Sequence, residues 1–472
     1  MDTIGSDPYT GITSGTSTTG LGSAGVAYRG NGSFYSLPAA TLPSSGAAYT
    51  TGDVIGMAFN ADILSLAFYK NGAPQGTVTN ITAGQYFTLC YCYNVSARTA
   101  NFGQRPFAYT APSGFKALCT TNLPAPTIED GSTAMDVALY TGNGSTNTIS
   151  GLNLSPDLVW IKTRSAAVSH ALQDIVRGTN KVLYSNSTGT EDTYTDALTS
   201  FNSDGFTLGA QSLVNNNTST YVAWCWDAGS STVSNDAGSI TSQVRANPSV
   251  GFSIVTYTGN GAASATIGHG LGVSPQMIMV KNRDVADDGA VYHVGTDVTS
   301  PQNYFFTLFS TSNGAEGRRD IGAMWNDTAP TSTVFSVGTE DNVNASTEDY
   351  VAYCFAPVAG YSAFGSYTGN GSTDGPFVYT GFRPRWLLFK STAGGGSWMI
   401  HDTARNTYNV SNTVLFANIS LEEYSVSPSY DIDINSNGFK IRNTGSDWNS
   451  SAVTYTYVAF AENPFALNAR AR

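Results

Sequence analysis

Tyr140-Thr141-Gly142-Asn143-Gly144 decides how the rest of the chain is read, because the same five residues return at Tyr257–Gly261 and at Tyr367–Gly371. The returns lie 117 and 110 residues apart, the length of a small domain and far beyond a solenoid repeat. A second landmark follows each copy. Ser155-Pro156-Asp157-Leu158-Val159-Trp160-Ile161-Lys162 corresponds to Ser274–Lys281 and to Arg383–Lys390. Proline opens the strand where its missing N–H does no harm, an apolar run follows, and the lysine is expected to end it at solvent. A third landmark closes each copy: Tyr221-Val222-Ala223-Trp224-Cys225-Trp226, Tyr350–Phe355 and Tyr457–Glu462. Alternation sends Val222, Trp224 and Trp226 to one face and Tyr221, Ala223 and Cys225 to the other. The small residues of the second face predict close approach to another layer. Three landmarks in one order, three times, establish an internal triplication.

Between landmarks, short apolar stretches alternate with Gly, Asn, Asp and Ser turns, as at Phe201–Phe206 and Ile434–Phe439. No stretch sustains helical periodicity over three turns. About 100 residues of short strands with turns every 8–12 residues predict a β-sandwich. The expected fold is all-β: four tandem β-sandwich domains of jelly-roll or concanavalin-like type. Their bounds are 1–120, 134–230, 249–358 and 363–465, with a tail at 466–472 and linkers near 121–133, 229–248 and 357–363. The first 120 residues share none of the three landmarks. There Gly52–Phe59 reads as a turn entering a buried strand, and Leu66–Gly72 as a strand entering an Asn-Gly hairpin.

At 472 residues the chain is too long for one core. Charged residues are 12% of it, about half the usual share, so Ser, Thr, Asn and Gly must supply the polar surface. That balance suits extracellular and virion proteins. A net charge of −12 without a basic stripe argues against nucleic-acid binding and against anionic membrane surfaces. Met1–Gly5 shows no secretory pattern, so release by lysis, another export route or an incomplete N-terminus are the readings left open. The five cysteines, Cys90, Cys92, Cys119, Cys225 and Cys354, are odd in number, and no pair has metal-site spacing except Cys90-Tyr91-Cys92. Cys225 and Cys354 lie in apolar strands, where cysteine acts as a small hydrophobe.

The motifs Gly52–Gly56, Leu66–Gly72 and Asn101–Phe107 resemble the SPRY domain, a concanavalin-like sandwich that presents loops to partners. The resemblance covers about residues 20–118, and the strands that open such domains are not found before Gly20. Downstream, Ser113–Ile128, Tyr140–Lys162 and Ala459–Phe465 resemble tail-fibre-like and other virion proteins of bacteriophages, marine ones especially. That resemblance implies a virion context and supplies no activity.

Glycan cleavage needs two carboxylates flanking a bond. Glutamate occurs at eight positions, none in an alternating pattern that would line a concave sheet, and Glu422-Glu423 stand in one copy only. No catalytic residue is assigned. His170, His293 and His401 lie at related positions after the buried strand, near Asp174, Asp297 and Asp402. A ligand or metal site in each copy competes with a His–Asp hydrogen bond anchoring a strand end; the second is preferred, because a metal needs three or four ligands. Asp433–Gly438 matches the opening of a calcium loop, but Thr444 stands at its twelfth position, so a strand and turn is preferred and calcium is the only cofactor considered. Trp160, Trp224, Trp226 and Trp386 are expected in the core. Trp325, Trp398 and Trp448 fall outside the landmarks and, with His401, are the candidate ligand-binding residues, core packing being the competing reading.

The expected function is a non-enzymatic virion surface protein (tail fibre, appendage or capsid decoration) adhering to host glycan or protein or to other virion parts. A glycan depolymerase and a filament-forming extracellular protein are the alternatives. A homo-oligomer is expected, a trimer first, although nothing reads as a coiled-coil stalk.

Overall fold

The computed structural model describes residues 9–14, 24–37, 40–81, 87–91, 98–119, 122, 127–310, 317–425 and 428–462. Cys92, Glu316 and the tail at 466–472 lie outside them. The chain divides into two compact units, Met1–Leu123 and Pro124–Arg472. Both are built from antiparallel sheets, so the all-β, sandwich-type reading holds.

In the first unit five strands form one sheet in the order Ala40–Ser45, Ser33–Leu37, Ala24–Arg29, Tyr9–Ser14, Phe87–Tyr91. Ile55–Asn60, Ser65–Lys70 and Ala73–Val78 form a second. Tyr28 and Phe34 of one sheet meet Phe68 of the other with ring centroids 5.1–5.5 Å apart, which makes this aromatic trio the centre of the core. Asn71 and Gly72 both take positive φ, the geometry an Asn-Gly hairpin needs. Asp53 accepts from the Asn71 amide at 2.7 Å and pairs with Lys70 at 3.2 Å, so two of the quoted motifs are tied to each other. Tyr9–Ser14 corrects the expectation of no strand before Gly20: its Gly-Ser-Thr surroundings hid it, yet it sits inside the five-stranded sheet.

In the second unit each copy repeats one plan. Copy 1 places Met135–Thr141, Thr220–Trp226, Leu158–Thr163 and Ala171–Asp174 side by side. Copy 2 does the same with Phe252–Thr258, Asp349–Phe355, Met277–Asn282 and Gly289–His293, and copy 3 with Ser362–Thr368, Thr454–Ala461, Pro384–Ser391 and Met399–Asp402. A smaller outer sheet covers one face of each. In copy 1 the small-residue face, with Ala223 and Cys225, packs on that outer layer, as the alternation predicted. The large-residue face, with Val222, Trp224 and Trp226, turns the other way and enters a core shared by all three copies.

That shared core revises the reading of separate sandwiches on linkers. Residues 124–472 are one unit, and the proposed linker 229–248 contains strands Thr232–Asn235 and Ser242–Asn247, which extend the sheet of copy 2. Leu158, Met277 and Trp386 pair with Trp226, Phe355 and Phe460, so these three aromatics are equivalent. Their rings close a triangle with sides of 6.2, 5.9 and 6.0 Å (Trp226–Phe355, Phe355–Phe460, Trp226–Phe460). The copies are therefore joined as a three-membered ring in which each touches both others, a threefold arrangement inside one chain. The same pairing corrects the third landmark of copy 3. Tyr455, not Tyr457, is the equivalent of Tyr221 and Tyr350; a slip of two keeps every side chain on its face, which is why alternation could not reveal it.

The opening motif is a structural lock. Tyr140, Tyr257 and Tyr367 stack on Tyr221, Tyr350 and Tyr455 with centroids 5.0, 5.1 and 5.3 Å apart. Buried Asn215, Asn344 and Asn449 accept the backbone N–H of Asn143, Asn260 and Asn370 at 2.8–3.0 Å and donate to neighbouring carbonyls. Glycine precedes each of those asparagines because a Cβ on Gly142, Gly259 or Gly369 would lie 2.2–2.4 Å from a carbonyl oxygen.

Candidate functional site

The buried ion pairs of the second unit gather where one copy meets the next. At the copy 1–copy 2 junction Asp174 ends its strand and takes Arg177 at 2.5 Å, both side chains fully buried. The Tyr353 hydroxyl of copy 2 donates to Asp174 at 2.8 Å. Arg177 reaches Glu191 at 3.0 Å, and Arg283 of copy 2 grips Glu191 through two bonds of 2.9 and 3.0 Å. The copy 3–copy 1 junction repeats this with other residues. Asp402 takes Arg405 at 2.6 Å and accepts the Trp224 indole N–H at 3.0 Å, Arg405 reaches Glu423 at 3.3 Å, and Arg164 grips Glu423 at 2.8 and 2.9 Å. Glu423 is thus matched by Glu191, which corrects the reading that it stands in one copy only.

The copy 2–copy 3 junction has the same backbone and different side chains. The N–H of Arg318 donates to Thr392 O at 3.0 Å, as Glu191 does to Arg283 O and Glu423 to Arg164 O at 2.9 and 2.8 Å. By strand register His293 occupies the place of Asp174 and Asp402. Thr296 then stands for the first arginine, Arg318 for the glutamate and Thr392 for the second arginine. His293 Nε2 bonds Tyr457 O across the junction at 3.1 Å, while its Nδ1 accepts from Gly295 N at 2.9 Å.

The three histidines therefore do not share a position, contrary to the sequence expectation, and none forms the expected bond to Asp174, Asp297 or Asp402. His170 accepts from the Trp160 indole at 2.9 Å and bonds Phe416 O of copy 3 at 2.8 Å. His401 Nδ1 meets Ser411 Oγ at 3.1 Å. Burial, reinforced by Lys162, drives His170 well below its ordinary value; burial alone takes His293 down to about 4 and, with Arg405 beside it, His401 down to about 3. They are neutral pins between strands and copies.

Lys162, Lys281 and Lys390 correct another expectation. They are buried, and their ammonium groups donate to carbonyls: Thr163 and Ala166 from Lys162, Thr188 and Asp287 from Lys281, Gly396 from Lys390. Thr188 belongs to copy 1, so Lys281 reaches across a junction, while Lys162 and Lys390 bond carbonyls of their own copies. Burial lowers Lys162 to about 7 and Lys281 to about 8.

The candidate platforms are core rings. Trp325, Trp398 and Trp448 are 2%, 1% and 0% exposed. Trp398 donates to Thr307 O of copy 2 at 2.8 Å, Trp325 packs edge-on to Tyr292, and Trp448 lies against Phe389 and His401. With His401 also buried, these four residues offer no surface to a ligand. Asp433–Gly438 is a strand and turn: Ile432–Asn435 pairs with Gly438–Ile441, and Asp433 faces Arg442 at 3.4 Å, so the calcium-loop conformation is absent there. Among the described residues no group of three or more His, Cys, Asp or Glu is placed to hold a metal, and no helix is long and apolar enough to cross a membrane.

Comparison with known families matches residues 130–464 to one described as Domain of unknown function (DUF7483). The chain belongs to this family. No curated protein and no solved structure matches. The DUF7483 match takes in all three copies and their junctions, so the family unit coincides with the closed body and not with a single repeat.

Within the DUF7483 body the copies differ on the outer sheet as well. In copy 3 the strand Phe377–Tyr379 pairs with Gly438–Ile441, and its alternation turns Val378 inward and leaves Phe377 and Tyr379 46% and 68% exposed. Register places Thr148 and Ser150 at the same two positions in copy 1, and Thr266 and Gly268 in copy 2. Sequence reading passed over Phe377 and Tyr379. The signal was present in Pro376-Phe377-Val378-Tyr379-Thr380, an alternating strand with aromatics on its outer side.

Proposed function

We propose that the chain is a non-enzymatic surface protein of a virion, a decoration or appendage that attaches to host surface or to other virion parts. The observation that carries this reading is the closed body itself. Asp174, Glu191, Asp402 and Glu423 with their arginines, and His170, His293 and Lys281, hold copies together, while His401, Lys162 and Lys390 are buried within their own copies. What is left outside is a set of loops and outer sheets on a rigid frame, the parts through which β-proteins make contacts. Virion placement is supported by the resemblance of Ser113–Ile128 and Tyr140–Lys162 to phage proteins, and attachment through the first unit by its SPRY-like motifs.

The threefold surface that a homotrimer buries between chains is closed here within one chain. A monomer of 49.7 kDa is therefore the expected solution species, in place of the trimer that phage fibres suggest. The test is co-sedimentation of the purified chain with bacterial cell envelopes and with virions, with reducing ends measured in the supernatant. Retention on either without release of reducing ends is the expected result. Release of reducing ends would make the protein a depolymerase and overturn the proposal.

A further inference from the structure

We infer that the outer sheet of copy 3 is a stacking platform for a neutral surface polysaccharide, with Phe377 and Tyr379 as its two rings. The copies themselves provide the control. The position of Tyr379 is an exposed serine in copy 1, Ser150, and a glycine in copy 2, Gly268; that of Phe377 is Thr148 and Thr266. Copy 1 leaves these positions open to water and needs no aromatic there; in copy 2 Gly268 is buried against the Asn235 side chain, so the control is copy 1. Rings left 46% and 68% exposed gain less for folding than buried ones, since burial is what makes an aromatic stabilising.

The surroundings select the ligand. Phe377 faces Lys440 across the strand pair, and Lys440 in turn faces Asp433. Lys440 is paired with Asp374 at 2.8 Å and Arg442 with Asp433 at 3.4 Å, two cations against two anions. The rim is thus rich in hydrogen-bonding groups and carries no net charge, which matches a ligand with many hydroxyls and no charge of its own. A pyranose has that character: an apolar C–H face for a ring and hydroxyls at its edge for carboxylates and amines. Residues two apart on a strand stand about 7 Å from each other on one face, so the pair addresses an extended chain and not a single sugar. A phosphate or nucleic-acid ligand would require an excess of cations that this rim, on a chain of net charge −12, does not offer. The assignment gives a ligand class to the attachment reading above and rests on it for the expectation that the glycan is a surface one.

The experiment is binding of the full chain to an immobilised panel of neutral oligosaccharides of four or more sugars, alongside Tyr379→Ser and the double variant Phe377→Thr/Tyr379→Ser, which write copy 1 into copy 3. Both variants should melt with the parent chain, because the exchanged side chains are exposed and the replacements already occur in the same fold. The expected result is binding by the parent, a loss of about tenfold or more in Tyr379→Ser, and no detectable binding in the double variant. Parent binding that survives the double variant would overturn the platform while leaving glycan attachment standing. Failure of the parent to bind any neutral glycan would also overturn it, and envelope co-sedimentation then decides separately whether the chain attaches by other means.

Discussion

Two of the three junctions in the DUF7483 body are held by buried charge, and the third is held by a neutral histidine, the Trp398 indole and backbone. Asp174–Arg177–Glu191–Arg283 and Asp402–Arg405–Glu423–Arg164 are the same network built from different copies. At the remaining junction His293, Thr296, Arg318 and Thr392 fill those four places, while the strand-to-strand backbone bond is retained. Shape and main chain hold the ring together everywhere. The side chains at each junction have diverged, so that each strand end recognises one neighbour. The buried carboxylates and first arginines pair within their own copy, so a mismatched neighbour would cost the fork from Arg283 or Arg164 and the bond from Tyr353 or Trp224. The charge networks thus read as devices that fix the order of copies around the ring, with the aromatic triangle of Trp226, Phe355 and Phe460 supplying the cohesion.

The largest effect that would break this comparison is removal of one charge from a buried network. Asp174→Ala takes from the fully buried Arg177 its nearer carboxylate and leaves it Glu191, and Asp402→Ala in the same way leaves Arg405 only Glu423. Each should cost about 3–5 kcal/mol, read by denaturant unfolding. His293→Ala at the third junction removes a neutral group and should cost about 1–3 kcal/mol. Equal losses at all three sites would mean that the charge networks contribute only as packing.

A second effect, and one that separates the junctions by chemistry, comes from pH. His170, His293 and His401 are held far below the 6.5 of an unfolded histidine, so the unfolded chain binds protons that the fold refuses. Their contribution is fully present above pH 6.5 and is lost as pH falls toward the folded values, each group giving a slope of about 1.4 kcal/mol per pH unit within its window. Asp157 works the other way, raised to about 6 by burial despite Arg245, and offsets part of the loss. Lys162 and Lys281 are lowered from 10.5 to about 7 and about 8, so stability continues to rise with pH from there to 10.5. Thermal unfolding between pH 4 and 10 should show both rises. His293→Gln should remove part of the acid-side slope and leave the alkaline side unchanged; an unchanged acid limb would show that this histidine is not the neutral pin described above.

Much of this was legible in the sequence and some of it could not be. Triplication, strand positions and the two faces of Tyr221–Trp226 follow from recurrence and alternation, which are local properties. Burial of Lys281 is not local: its ammonium meets the Thr188 carbonyl of copy 1, a contact that no reading of one copy can supply. The same cause hides Trp398, whose indole meets a carbonyl of copy 2. The three histidines drew attention as a recurring residue type, yet register spreads them over three different positions. The better signal was the Asp-x-x-Arg spacing at Asp174/Arg177 and Asp402/Arg405, with its absence in copy 2, since that pattern marks which junctions are charged. Phe377 and Tyr379 were legible as an alternating strand, but only alignment of the outer sheets shows that the other copies manage without them.

The smallest predicted effect sharpens the comparison at the partly exposed ends of the networks. Arg164 and Arg283 each hold a glutamate through two bonds, a fork that lysine cannot reproduce. Arg164→Lys and Arg283→Lys keep the charge and lose the fork, so each should cost about 0.5–1 kcal/mol, with a lower cost at high salt. Because the two sites have no shared partner, the double variant should cost the sum within about 0.5 kcal/mol. Thr392, which holds the same place at the third junction, tolerates Thr392→Ser with a change under about 0.5 kcal/mol, since its contact there is the backbone carbonyl that accepts from Arg318. A double variant that loses much more than the sum would show the two charged junctions acting as one unit through copy 1, and the ring would then respond as a whole to damage at either.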